Sequence, residues 1–138
     1  MSNKMLIIGC GRLGASIANE ASLAGNSVVV MDSDKKAFDR LSDVFSGYKI
    51  LADATDLTAL EDANIKTCRE VVITTGSDNV NLFLAHVCDK VYRIPHIYVR
   101  FDDPDKGLLI KEFNVEAIYP FQLSHDKFVA LKSQEAKK

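Results

Sequence analysis

The chain has 138 residues, a formal net charge of −2, 47% hydrophobic and 26% charged side chains, which suits one domain with a substantial core. This balance offers no basic field to hold nucleic acid, and no apolar run approaches the ~20 residues of a membrane-spanning helix. Met1-Ser-Asn-Lys-Met5 leads directly into an apolar run and leaves no room for a signal peptide. Cys10, Cys68 and Cys88, odd in number and without CxxC spacing, read as reduced thiols of a cytoplasmic protein.

Met5–Ile8 is predicted as a first strand, running into the loop Gly9-Cys10-Gly11-Arg12-Leu13-Gly14. Gly9 and Gly11 let the backbone approach a phosphate, and Gly14 lets the next helix lie close to the strand. The free N–H groups and the dipole of that helix favour an anion. The helix is predicted from Arg12 to Ala24, with Leu13, Ile17, Ala21 and Ala24 at helical spacing, and Gly25-Asn26 closes it. Arg12 falls in the first turn, where the dipole disfavours a cation unless an anion sits there too; otherwise it is a solvated charge. Cys10 occupies a position that can lower a thiol pKa, while a small residue filling the loop is the simpler reading.

Ser27–Met31 is the second strand, with Asp32 at its tip placed to accept from ribose hydroxyls. A carboxylate there repels a 2′-phosphate, which favours NAD over NADP but does not separate NAD from ATP, ADP or AMP. Asp34 is expected to cap a second helix carrying Ala37, Phe38, Leu41, Val44 and Phe45. Tyr48–Leu51 is a short third strand, followed by Ala52-Asp53-Ala54-Thr55-Asp56. Ala54 leaves space for a flat adenine ring, Asp53 can accept from an exocyclic amine, and Asp56 caps a short helix with Leu57, Leu60 and Ala63.

Glu70–Thr74 is the fourth strand, with the Val71-Val72-Ile73 run of a buried parallel strand. In Thr75-Gly76-Ser77-Asp78, Gly76 admits close approach beneath a ligand, and Asp78 is expected to cap a long helix reaching Val91. Ile97–Phe101 is the fifth strand, and Arg100 either reaches a phosphate in the cleft or pairs with Asp102 or Asp103. Pro104 opens a helix through Leu108, Leu109, Ile110 and Phe113. Val115–Tyr119 is the sixth strand, ended by Pro120, and Gln122–Lys132 is a last helix before the tail.

This alternation predicts an α/β fold: a Rossmann-like, doubly wound, six-stranded parallel sheet ordered 3-2-1-4-5-6, with a C-terminal crossover helix. Residues 1–121 are assigned to the nucleotide-binding domain and 122–138 to the crossover helix and tail. Ligands of such sheets sit at the switch between strands one and four. His86, His96 and His125 are scattered, and no Ser-His-Asp or paired-carboxylate spacing is present. No catalytic residue and no metal ligand is therefore expected.

The glycine loop, Asp32, the Asp53-Ala54-Thr55 step, Thr75-Gly76-Ser77-Asp78 with Asn81 one turn on, and Arg100 together resemble the RCK N-terminal domain. This family, also called KTN or TrkA-N, is matched over about residues 4 to 132. The resemblance implies a cytosolic regulatory module of Trk/Ktr potassium uptake systems or potassium channels. It implies NAD(H) or an adenine nucleotide (ATP, ADP or AMP) held by Gly9, Cys10, Gly11, Arg12, Leu13, Gly14, Asp32, Asp53, Ala54, Thr75, Gly76 and Arg100. It further implies a homodimer or higher ring, a membrane transporter or channel subunit as partner, and a place at the inner face of the membrane. The last helix, with Leu123, Phe128 and Leu131, would present the partner surface. Ala52 stands where the family often has Gly, and the family's C-terminal ligand domain has no counterpart in the chain. The competing class is an NAD-dependent oxidoreductase or its cofactor domain. Against it stand the lack of a substrate domain and of a partnered His at a strand tip.

Overall fold

Short Val- and Ile-rich runs, buried on both faces, form the middle of a parallel sheet. The computed structural model describes residues 3–136; Met1, Ser2, Lys137 and Lys138, the ends of the predicted lead-in and tail, lie outside the described residues. The strands are β1 (Lys4–Ile8), β2 (Ser27–Asp32), β3 (Tyr48–Leu51), β4 (Glu70–Ile73), β5 (His96–Arg100) and β6 (Glu116–Ile118). All neighbours pair in parallel, in the order β3-β2-β1-β4-β5-β6. Ile8 lies opposite Met31 on one side and Ile73 on the other, so the tips of β2, β1 and β4 end at one edge. The order reverses between β1 and β4, and the chains diverging there open a crevice beyond the strand ends.

The helices are α1 (Arg12–Leu23), α2 (Leu57–Asp62), α3 (Asp78–His86), α4 (Pro104–Gly107) and α5 (Pro120–Ala136). Period-two alternation along the strands feeds two cores. Ile7, Val28, Val30 and Val72 meet Ala15, Ala18 and Ala21 of α1 on one face. Leu6, Ile8, Met31, Val71 and Ile73 meet Leu60 and Leu84 on the other. The alanine seam lets α1 lie close to β1, which fixes the helix start above the strand tip.

Four elements differ from the sequence reading. The helix after Asp34 is only a 3-10 turn, Lys35–Arg40. Asp34 caps it as expected, accepting from the Lys36 amide at 3.0 Å. The chain then leaves helical geometry because Asn19 Oδ1 on α1 accepts from the Ser42 amide at 2.9 Å; Val44, expected inside, is 66% exposed. The long helix from Asp78 is α3 followed by a π-helical turn, Val87–Val91. Its N-cap is Ser77, whose hydroxyl accepts from the Val80 amide at 3.3 Å, not Asp78. The helix at Pro104 is a single α turn and a 3-10 turn, Leu108–Ile110. The last helix starts earlier and runs further than predicted, with Pro120 in its first turn, where a missing N–H costs nothing. None of its described residues is buried. No helix among the described residues is long and apolar enough to cross a membrane.

Candidate functional site

The chain leaves β1 at Gly9, with φ +99 and its N–H donating to the Met31 carbonyl at 2.8 Å. The left-handed turn and the space both demand glycine, since a Cβ there would lie 2.6 Å from the Thr74 carbonyl oxygen. Thr74 is buried, and its hydroxyl donates to the Gly9 carbonyl at 3.0 Å. The tips of β1 and β4 are thereby locked side by side. Gly11 is the N-cap of α1, with no side chain capping the helix. By contrast Asp56, Ser77 and Asp103 cap α2, α3 and α4. The first amides of α1 are left for another acceptor. A Cβ at Gly11 or at Gly76 would meet nothing within 4 Å, so the space above both is open.

Asp32 stands beside this opening. Its Oδ2 accepts from the Cys10 amide at 2.7 Å and its Oδ1 from the Asp34 amide at 2.8 Å. Each oxygen keeps a further acceptor site for a ligand hydroxyl. The Cys10 side chain points into the core and is fully buried. Burial, and next the Asp32 charge, push its thiol pKa up against the pull of Arg40 and Lys49. That removes the reactive-thiolate reading and leaves the small-filler one.

Across the crevice, Asn81 is buried and fully used. Its amide donates to the carbonyls of Thr75 at 3.1 Å and Arg100 at 2.8 Å. Its Oδ1 accepts from the Thr75 amide at 3.1 Å and from the Thr75 hydroxyl. One side chain thus pins the tips of β4 and β5 together. Asp78, freed from capping, accepts from the amides of Asp102 at 2.8 Å and Asp103 at 2.9 Å, and so holds the loop after β5. The Arg100 guanidinium pairs with Asp102 Oδ1 at 2.9 Å, the pairing alternative of the sequence reading, while still lining the crevice. After β3, Asp53 Oδ1 accepts from the Thr55 amide at 2.9 Å and hydroxyl at 2.7 Å. These bonds, the amide's first, hold the Asp53 carboxyl pKa below its ordinary value.

The result is a cleft of about 660 Å³ at the switch point. Of the expected site residues, Gly9, Cys10, Gly11, Asp32, Asp53, Ala54, Thr75, Gly76 and Arg100 line it together. Arg12, Leu13 and Gly14 do not. Gly14 lies beneath the loop, where a Cβ would stand 2.0 Å from the Gly9 carbonyl oxygen. Arg12 is exposed and lines a neighbouring groove with Ser16 and Asn19. The sequence reading missed Arg40, which lines both the cleft and that groove, and gave Ala37 to the core alone although it lines the cleft as well. Their placement depends on the 3-10 geometry, for which apolar spacing carries no signal.

The fold and the cleft together define a Rossmann-type domain open at its switch point. The TrkA-N domain model matches residues 5–120, and the chain belongs to the TrkA-N domain family. Among its relatives, the Trk system potassium uptake protein TrkA of Streptomyces coelicolor is 24% identical over 125 residues, covering 91% of this chain and 56% of that protein. A TrkA homolog of Pyrococcus abyssi is 30% identical over 112 residues, covering 78% of this chain and 48% of that protein. The chain therefore spans about half the length of these relatives. In structure it is similar to the TrkA-N domain of the Escherichia coli inner membrane protein ybaL, with a TM-score of 0.82, 15% identity and coverage of 95% and 97% of the two chains. The GsuK channel bound to NAD gives a TM-score of 0.82 at 19% identity, covering 96% of this chain and 24% of that one. The Shewanella denitrificans Kef CTD in AMP-bound form gives 0.66 at 21% identity, covering 78% and 64%.

Proposed function

We propose that this domain is the nucleotide-sensing part of a potassium-transport regulator, holding NAD(H) or an adenine nucleotide without turning it over. One observation carries the reading: the uncapped start of α1 opens above Gly11 and Gly76, with the Asp32 carboxylate beside it. Amide donors without partners suit phosphate, a floor without Cβ atoms suits its close approach, and an anchored acceptor suits ribose hydroxyls. Gly9, Cys10, Gly11, Thr75 and Gly76 would supply the backbone cradle, Asp32 the ribose contact, and Asp53 with Ala54 the base end. Arg12, Leu13 and Gly14 would act by shaping the loop and its surroundings. Arg100 would reach the ligand only by sharing its charge with Asp102.

Among the described residues no histidine lines the cleft, so it offers no imidazole as a proton donor beside a bound ligand. NAD- and AMP-bound relatives of the same fold, and potassium uptake proteins among the sequence relatives, support the ligand class and the regulatory setting. Residues 1–121 would then bind nucleotide, and α5 with its tail would engage a second copy or a membrane subunit at the inner face of the membrane. A nucleotide biases such an assembly only by its difference in affinity for two states, and a tenfold difference is ~1.4 kcal/mol.

Thermal melts with NAD, NADH, ATP, ADP and AMP test this. At least one is expected to raise the melting temperature by several degrees at saturating concentration. Asp32→Ala should weaken every ligand that stabilises the wild type, by on the order of tenfold. Indifference to all five nucleotides, or consumption of NADH with a small carbonyl substrate, overturns the proposal.

A further inference from the structure

The 3-10 turn Lys35–Arg40 lines up the side chains three residues apart. In 3-10 geometry residues at i and i+3 eclipse. Ala37 and Arg40 therefore stand in one row, and both line the cleft, as does Asp34, the extended residue just before the turn. Asp34 is fixed at the start of the turn by capping it, its Oδ1 accepting from the Lys36 amide at 3.0 Å. Ala37 is buried and adds no bulk. Arg40, at the outer end, is exposed and forms no ion pair among the described residues. The loop after β3 contributes Ala52 and Ala54 to the same cleft, again without bulk. Small side chains thus line the base of the slot, and a planar cation stands at its rim.

We propose that Arg40 closes over the face of the purine base of a bound nucleotide and stacks its guanidinium on the ring. This rests on the nucleotide reading above. A guanidinium is planar and weakly hydrated, and it stacks on aromatic faces where an ammonium does not. A phosphate is the poorer occupant of this spot. Asp34 and Asp32 line the same cleft, and both carboxylates would repel an anion brought to Arg40. Phosphates have the uncapped amides of α1 instead, whereas a neutral ring meets no such repulsion.

Titration calorimetry with adenosine, AMP and NAD, on the wild type and on Arg40→Ala, Arg40→Lys and Arg40→Tyr, tests the assignment. Arg40→Ala should weaken all three ligands by a similar factor, about fivefold to tenfold. Arg40→Tyr, which keeps a stacking plane without charge, should recover most of the loss, and Arg40→Lys should not. A loss confined to AMP and NAD, with adenosine unchanged, would make Arg40 a phosphate contact and overturn the proposal. So would unchanged affinity in Arg40→Ala, or recovery by Lys and not by Tyr. A wild type that binds none of the three, and none of NADH, ATP or ADP, overturns the nucleotide reading itself, a result distinct from any of these. The residue is exposed, so all three variants should melt within a few degrees of the wild type.

Discussion

A Cβ added at Gly14 would stand 2.0 Å from the Gly9 carbonyl oxygen and 2.7 Å from Thr74 Oγ1, whereas one at Gly11 meets nothing within 4 Å. Neither of the atoms facing Gly14 can yield without breaking the bond that ties β1 to β4. Gly14→Ala is therefore expected to lower unfolding free energy by about 3 kcal/mol, measured in urea. Gly11 has an ordinary φ of −77, so Gly11→Ala should keep stability within about 0.5 kcal/mol. It should lose AMP affinity on the order of tenfold, because the methyl takes space that a phosphate needs. A Gly11→Ala protein that binds like the wild type would place the phosphate elsewhere. The packing role of Gly14 was legible because the glycine spacing after a strand encodes it. The role of Asp78 was not. An acid at a helix start reads as a cap, but Ser77 takes the cap and Asp78 holds amides of Asp102 and Asp103. Only the folded topology brings those groups together.

Among the elements, the strands and the existence of each helix followed from apolar runs, but the type of helix did not. Ala37, Phe38 and Leu41 fit more than one helical pitch, and the Asn19–Ser42 bond across elements settled it. The π-helical turn Val87–Val91 is equally invisible in the pattern; its Tyr92 amide reaches back to the Val87 carbonyl at 3.1 Å. The turn delivers Arg93 into the left-handed region, with φ +51. Asn64, at φ 60, is a residue type that tolerates this region. Arginine does not, and the strain is about 1 kcal/mol. Arg93→Gly is expected to raise unfolding free energy by up to about 1 kcal/mol, and Arg93→Val to lower it by at least as much. Equal urea midpoints for the two variants would show that the turn relaxes without cost.

For the whole molecule, the order of the sheet could be read ahead because right-handed crossovers between buried parallel strands leave few arrangements. The last helix could not be completed in this way. Its apolar residues were legible, but what they meet was not, and in the folded chain Phe121, Leu123, Phe128, Val129 and Leu131 are each 48–64% exposed. Single exposed apolar residues are ordinary, and whether Phe121, Phe128 and Leu131, spaced to share one side of α5, form a contact with a second copy is a question of mass. The cleft is built entirely from residues up to Arg100, so the surface and the site can be altered separately. Sedimentation equilibrium at micromolar concentration is expected to give a mass above that of the monomer. Phe128→Glu combined with Leu131→Glu should bring it to the monomer value, since charges cannot be buried in an apolar contact without a partner. AMP affinity should stay within about twofold of wild type, because distant, independent sites act additively. A wild-type monomer at these concentrations, or an oligomer indifferent to both charges, would remove α5 from the assembly surface. A loss of AMP binding in the monomeric variant would show instead that the second copy completes the cleft.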